Sequence, residues 1–376
     1  MHHKKPTTLS LLATTLAALI LTLAVLEIFF RFLPVNELLL SQPVNAASPM
    51  LRFVPNQTLL RSNGPFFSMQ NTVHSNNYGF INNQDYDKEA VPPLLSVIGD
   101  SYVEAVMVPY SETGFGRLAT TLQGRMRVYS FGRSGAPLSQ YLATAKWVHE
   151  EFSPQCMVFV IVGNDFDESL FKYKQAPGFS YFKEENGELK LKLIDYTPGL
   201  GVQVITRSKL LMYLVTNLHI IERLQGLFKP RPKTEYVGQT IAQASEERLR
   251  DSEKAVNAFF KALPQAAQLP PDRILFVVDG IRPDLYDPKM LAQDSSTYFW
   301  KMRHQFMRLA KEQGYRTVDM QQVFIEDWKQ HHRRFEFEGD MHWNGYAHGL
   351  FAREVLRSGL VEAVLSSSGR IPEEAP

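Results

Sequence analysis

Ser101 closes the triplet Gly99-Asp100-Ser101, which ends the apolar run 94–98 and opens a helical pattern. Its hydroxyl therefore stands beyond the carboxyl end of a strand, where open α/β sheets place their ligands. A helix starting there also points unpaired N–H groups at developing negative charge. The chemistry this suggests is nucleophilic attack on an acyl carbon. A plainer explanation competes, because Ser101 and Glu104 also form an S-x-x-E capping box, in which the serine only caps a helix. Acyl transfer needs three more things: a base in hydrogen-bond reach, a group orienting that base, and donors for the oxyanion. Asp340-Met341-His342 precedes Asn344, which reads as the cap of a helical stretch over 346–365, so His342 falls in a loop beside a carboxylate. His342 would take the serine proton, and Asp340 would hold the imidazole tautomer. His348 reads as structural. Gly132 follows the apolar run 128–131, and Asn164 follows 157–162 in Gly163-Asn164-Asp165. As oxyanion donors they would serve through a backbone N–H and a side-chain amide; the competing readings are a turn glycine and an Asx turn.

The elements that must position these residues follow from hydrophobic periodicity. Strand-like runs at 94–98, 128–131, 157–162, 274–278 and 315–318 alternate with helical segments at 114–122, 139–152, 245–263 and 297–313. Such alternation predicts parallel strands joined by crossovers, with helices on both faces. Residues 166–235 interrupt it with a hairpin over 181–191, turning at Asn186-Gly187, and an apolar helix over 208–227. This insertion is expected to roof the pocket, or else to pack on the sheet or lie against a membrane.

From Pro6 to Leu26 there is no charged residue, and the apolar character continues to Phe30, long enough to cross a bilayer. Lys4 and Lys5 precede it, so the N-terminus is expected to stay cytoplasmic and the rest to face outward. A cleaved signal peptide with Val44-Asn45-Ala46 as its site is the rival, but the apolar stretch is long for that role. The expected organisation is a tip and anchor (1–34), an extended leader (35–90), a catalytic domain (91–366) and a disordered tail (367–376). Lys+Arg 40 against Asp+Glu 39 gives a net charge of +1, which offers no field to recruit nucleic acid. The run His331-His332-Arg333-Arg334 reads as a solvated loop. The single Cys156 precedes an apolar run and reads as buried, and no cluster has metal-ligand spacing, so neither metal nor organic cofactor is expected.

These four separated blocks, in this order, resemble the SGNH hydrolase superfamily, the GDSL-type esterases, over about residues 91–365. The resemblance implies a three-layer α/β/α sandwich, α/β in class and flavodoxin-like, with a central parallel sheet behind one N-terminal transmembrane helix. It implies Ser101 as nucleophile, Ser101, Gly132 and Asn164 as the oxyanion hole, and Asp340 and His342 as acid and base. Two departures stand out: Tyr102 replaces the family leucine, and the D-x-x-H spacing is shortened to D-x-H, as in relatives such as alginate O-acetylation proteins. The shorter spacing leaves Asp279, or a backbone carbonyl, as alternative orienters. The implied activity is hydrolysis of an O-acyl ester on an envelope glycan or a lipid, with the catalytic domain on the periplasmic side of a bacterial inner membrane. Acyl transfer to a polysaccharide, with a membrane acyltransferase as partner, and non-catalytic glycan binding are the alternatives.

Overall fold

The computed structural model describes residues 7–228, 236–237, 239–282, 284–287, 289, 291 and 296–367. Lys4 and Lys5, part of the 166–235 insertion and all of the expected tail beyond Ser367 lie outside them. The chain forms two compact units: Met1–Leu40 with Leu59–Thr72 and Pro198–Pro230, and Ser41–Thr58 with Val73–Thr197 and Arg231–Pro376.

The smaller unit contains α1, Thr8–Phe30, a 23-residue helix long and apolar enough to cross a membrane. It also holds most of a hairpin, β1 (Gln57–Asn63) and β2 (Ser68–Ser75), and the short helices α5 (Leu200–Ile205), α6 (Lys209–Met212) and α7 (Ile220–Phe228). The single helix expected over 208–227 is broken. A π-helical turn occupies Tyr213–Asn217, and His219 adopts a left-handed φ of 50°.

The larger unit is built on five parallel strands, β3 (Leu94–Gly99), β4 (Arg127–Gly132), β5 (Cys156–Ile161), β10 (Ile274–Val278) and β11 (Arg316–Asp319). Their spatial order is β11-β10-β5-β3-β4. The order reverses between β3 and β5, the switch point at which doubly wound sheets bind ligands. Alternate residues of β3, β4, β5 and β10 feed two separate cores, as a pleat of period two requires. Ile98, Phe131, Phe159 and Phe276 pack under α4 (Leu138–Phe152), α8 (Glu246–Ala267) and α9 (Tyr298–Glu312). Val97, Val128, Val160 and Val277 pack under α2 (Ser101–Glu104), α3 (Gly114–Thr121), α10 (Met320–His331), α11 (Gly345–Arg357) and α12 (Leu360–Ser367). The result is the three-layer α/β/α sandwich, and buried Cys156 lies in its second core.

Several helix starts carry their own signals. The side chains of Thr113, Ser245, Thr297, Asp319 and Asn344 each accept a first-turn N–H. Two ends differ from the sequence expectation. α8 continues through Pro264 to Ala267, because Leu263, Ala266 and Ala267 are buried in the core and their packing outweighs the proline's lost bond. The stretch 346–365 divides at Gly359, which takes φ +72°. Nor is the 35–90 segment set apart from the sheet, since Val44, Leu51, Phe80 and Tyr86 enter the first core. The hairpin at Asn186-Gly187 joins β6 (Ser180–Glu185) to β7 (Glu188–Leu193), both turn residues having positive φ, as a two-residue I′ turn requires, and a short antiparallel pair, β8 (Tyr236–Val237) and β9 (Thr240–Ile241), precedes α8.

Candidate active site

Ser101 begins α2 at the carboxyl end of β3, and two residues before it the backbone leaves room only for glycine. A Cβ on Gly99 would lie 2.4 Å from Val103 Cγ2, so glycine lets α2 fold back on its own strand. The capping-box explanation of Ser101 does not survive the geometry. Asp100 caps α2, accepting the Tyr102 N–H at 2.9 Å. The Glu104 carboxylate turns away to accept from Ser134 N–H (2.8 Å), Ser134 Oγ (2.7 Å) and Arg133 (3.0 Å). Freed of capping, Ser101 Oγ lies 2.7 Å from His342 Nε2.

His342 and Asp340 belong to β13, Asp340–Trp343, which pairs with β12, Glu336–Phe337, in a short antiparallel ribbon rather than lying in a loop. Asp340 Oδ1 accepts from His342 Nδ1 at 2.5 Å and from the His342 backbone N–H at 2.9 Å. Residues i and i+2 share a face of a strand, so the two-residue spacing brings carboxylate and imidazole together. With Nδ1–H donated to Asp340, Nε2 is left as the acceptor of the serine proton. Burial pushes the His342 pKa down, but the bond to Asp340 and the nearby Asp340 and Asp100 charges outweigh it and hold the imidazole above its ordinary value. Burial likewise pushes Asp340 up, and its bonds to His342 bring it below the usual carboxylate value. The imidazole is 36% exposed, so substrate can reach it. Beside them Asp100, 2% exposed, is pushed up to about 6 by burial.

Asp279 is not the orienter. It is fully buried, where it pairs with Arg282 and accepts from Trp343 Nε1 at 2.8 Å. Arg282, itself 1% exposed, donates to the Met341 carbonyl (2.5 Å) and to Tyr102 Oη (2.6 Å), and Tyr102 Oη donates to the same carbonyl at 3.0 Å. Met341 lies between Asp340 and His342, so a buried ion pair and a tyrosine hold the strand that carries both. The departure at Tyr102 thus has a structural purpose that its position next to the serine did not disclose. The signal available in the sequence was the Asp279-Gly280-Ile281-Arg282 run at a strand end, an acid and a base three residues apart.

The two remaining residues fare differently. In the parallel pair β3/β4, Gly99 lies opposite Gly132 and Arg133 N–H donates to the Gly99 carbonyl at 3.2 Å. Alternate residues of a strand direct their N–H groups to opposite sides, so Gly132 points its own to the outer edge, as Ser130 does in donating to Tyr86 Oη (3.0 Å). The expected donation from Gly132 to an oxyanion is therefore not supported. Its contribution is steric: a Cβ there would lie 2.2 Å from Glu104 N and 2.4 Å from Val103 C, so glycine admits α2 against β4. Asn164 sits in the turn after β5, across the switch point from Ser101. Its amide donates to Glu168 at 3.1 Å, and Glu168 is paired with Lys174, which also donates to the Gly135 carbonyl at 3.0 Å. Its second amide N–H is the candidate donor. Asp165, next to it, is buried, accepts both a Tyr141 hydroxyl (3.0 and 3.1 Å) and the Val162 N–H (2.8 Å), and is held well above the carboxylate range by burial and by Asp100. His348 accepts from Gly114 N–H at 3.2 Å, and burial pushes it down to about 3, a neutral packing residue. Among the described residues no group of three or more His, Cys, Asp or Glu side chains is placed to hold a metal ion.

Comparison with known proteins finds no matching family model and no matching curated protein. Among solved structures the chain is similar to a lipase from a goat rumen metagenome (11% identity, TM-score 0.39, covering 71% of this chain and 98% of that one). It is also similar to a lipolytic G-D-S-L family protein of Veillonella parvula (13%, 0.34, 70% and 96%). An acetyl xylan esterase is a third (10%, 0.39, 70% and 98%). These identities are too low to transfer the role of any residue.

Proposed function

We propose that this chain is a serine ester hydrolase of the SGNH type, acting on an O-acyl group and in particular on O-acetyl esters of an envelope glycan. The observation that carries the reading is the continuous chain Ser101 Oγ to His342 Nε2 (2.7 Å) and His342 Nδ1 to Asp340 Oδ1 (2.5 Å), the nucleophile, base and orienter that acyl transfer requires. In the first half-reaction Ser101 Oγ attacks the ester carbonyl carbon as its proton passes to His342 Nε2. The negative charge developing on the carbonyl oxygen is met by the Asn164 amide and the N–H at the start of α2, and Asp340 stabilises the imidazolium. The tetrahedral intermediate collapses by breaking the carbon–alkoxide bond, with the Nε2 proton going to the departing sugar hydroxyl. Water then attacks the acyl-serine, gives its proton to Nε2, and releases the carboxylic acid as Ser101 recovers its proton.

An apolar helix long enough to cross a membrane, with Lys4 and Lys5 before it in the sequence, supports a reading in which this chemistry takes place on the periplasmic side of a bacterial inner membrane. Full-length protein in detergent should hydrolyse a short-chain nitrophenyl ester and be labelled by a fluorophosphonate. Ser101→Ala should lose both, and undiminished turnover in that variant would exclude this nucleophile. A panel of acetylated glycans set against acylated lipids tests the substrate class, and turnover confined to the lipids would overturn the glycan assignment.

A further inference from the structure

The exposed apolar surface of this protein is unevenly distributed. Among the described residues, ten large hydrophobic side chains outside α1 are exposed, and seven of them belong to the smaller unit. Five of the seven lie on two of its short helices, α5 and α7. Leu200 (80% exposed) and Val204 (58%) are four apart on α5. On α7, Leu224 is four from Ile220 and three from Ile221, while Glu222, Arg223 and Gln225 are exposed on its other sides. Spacings of three and four put side chains on a common face, so each of the two helices leaves an apolar face uncovered.

Their position along α1 is fixed by specific bonds. Glu27, in the last turn of α1, has its carboxylate occupied by Ser208 Oγ (2.7 Å) and by the N–H groups of Lys209 (3.2 Å) and Leu210 (3.0 Å), so it caps α6 from another helix. Phe30 stacks on Tyr213 with ring centroids 4.3 Å apart. The chain on either side of α6 is thereby held at the C-terminal end of a helix that buries none of its own residues. Arg207 and Arg223 are exposed at or beside these elements, as is Arg31, which also pairs with Glu27 at 3.0 Å. If α1 spans a bilayer, its end lies at headgroup depth, where apolar faces meet acyl chains and arginines reach phosphate.

We infer that α5 and α7 form an interfacial collar: the two helices rest their exposed apolar faces in the acyl boundary of an anionic bilayer beside α1, so the protein is held by a surface as well as by a span. The collar is independent of the ester chemistry, and its test reads no activity.

The full chain carries a single cysteine, Cys156, which is buried and whose thiol is pushed up to about 12, so introduced cysteines can be labelled selectively. Val204→Cys, Leu224→Cys and, on the polar side of α7, Glu222→Cys are each labelled with an environment-sensitive fluorophore. The proteins are reconstituted in vesicles of phosphatidylethanolamine and phosphatidylglycerol carrying a shallow doxyl-lipid quencher. Positions 204 and 224 should show blue-shifted emission and several-fold stronger quenching than position 222. Equal quenching at all three would overturn the collar. So would a blue shift without lipid quenching that disappears on diluting the labelled protein with unlabelled protein, because that result identifies a second copy of the chain as the occupant.

Discussion

Replacing Asp340 by asparagine keeps the shape of the side chain and removes its charge. Asp340 Oδ1 accepts two N–H groups of His342, at 2.5 and 2.9 Å, and an asparagine oxygen still offers acceptor geometry to one of them. What is lost is the pairing of carboxylate with imidazolium as Ser101 gives up its proton. Two unit charges about 4 Å apart at an effective dielectric near 20 interact by about 4 kcal/mol. His342 is 36% exposed and Asp340 19%, so solvent screening reduces this to about 3 kcal/mol, a factor of about 10² in rate. Loss of the fixed tautomer adds to it, and an isosteric acid-to-amide change in a serine triad costs about 10⁴-fold in all. We therefore expect kcat/KM for a nitrophenyl ester to fall by about 10³-fold or more. The pH profile supplies a second readout. The native rate should fall as pH drops through the His342 pKa, which Asp340 holds above 6.5 against the opposing effect of burial. Without that carboxylate, burial prevails and the acidic limb should move to lower pH. A variant within about threefold of native kcat/KM, with the limb unmoved, would refute the role of Asp340.

Gly132→Ala puts a methyl against the backbone of Val103 and Glu104, which cannot yield without shifting α2. Turnover should drop by about 10²-fold with little change in KM, as expected for a nucleophile displaced by about 1 Å, and an alanine variant with native kinetics would show that α2 tolerates the contact. Asn164→Ala should lower kcat by about 10²- to 10³-fold if its amide serves the oxyanion, and steady-state kinetics at saturating ester decide it. Arg282→Met leaves buried Asp279 without its counter-charge; denaturant unfolding should show a loss of about 3–5 kcal/mol, much of it recovered in the Asp279→Asn/Arg282→Met double variant.

β3, β5 and β10 were legible because each is a short apolar run, as a parallel strand buried on both faces has to be, whereas the edge strand β11, Arg316–Asp319, is half-buried and shows only a faint one. Helix starts at Thr113, Ser245, Thr297 and Asn344 were legible because capping is local chemistry, settled within three residues. Helix ends were harder: burial of Leu263, Ala266 and Ala267 carries α8 past its proline, while a left-handed residue at His219 breaks a segment that reads as continuous. Ser101, Asp340 and His342 could be named from type and order, since acyl transfer restricts which residues can serve. Their convergence could not, because 241 positions separate serine from histidine and no local rule spans that distance. Nor could the sequence choose between Asp340 and Asp279 as the acid beside His342. That choice rests on Arg282, which neutralises Asp279 inside the protein and grips the Met341 carbonyl. The part Gly132 plays was likewise decided by the sheet, because the direction of a backbone N–H depends on which neighbour a strand pairs with, and pairing belongs to the fold.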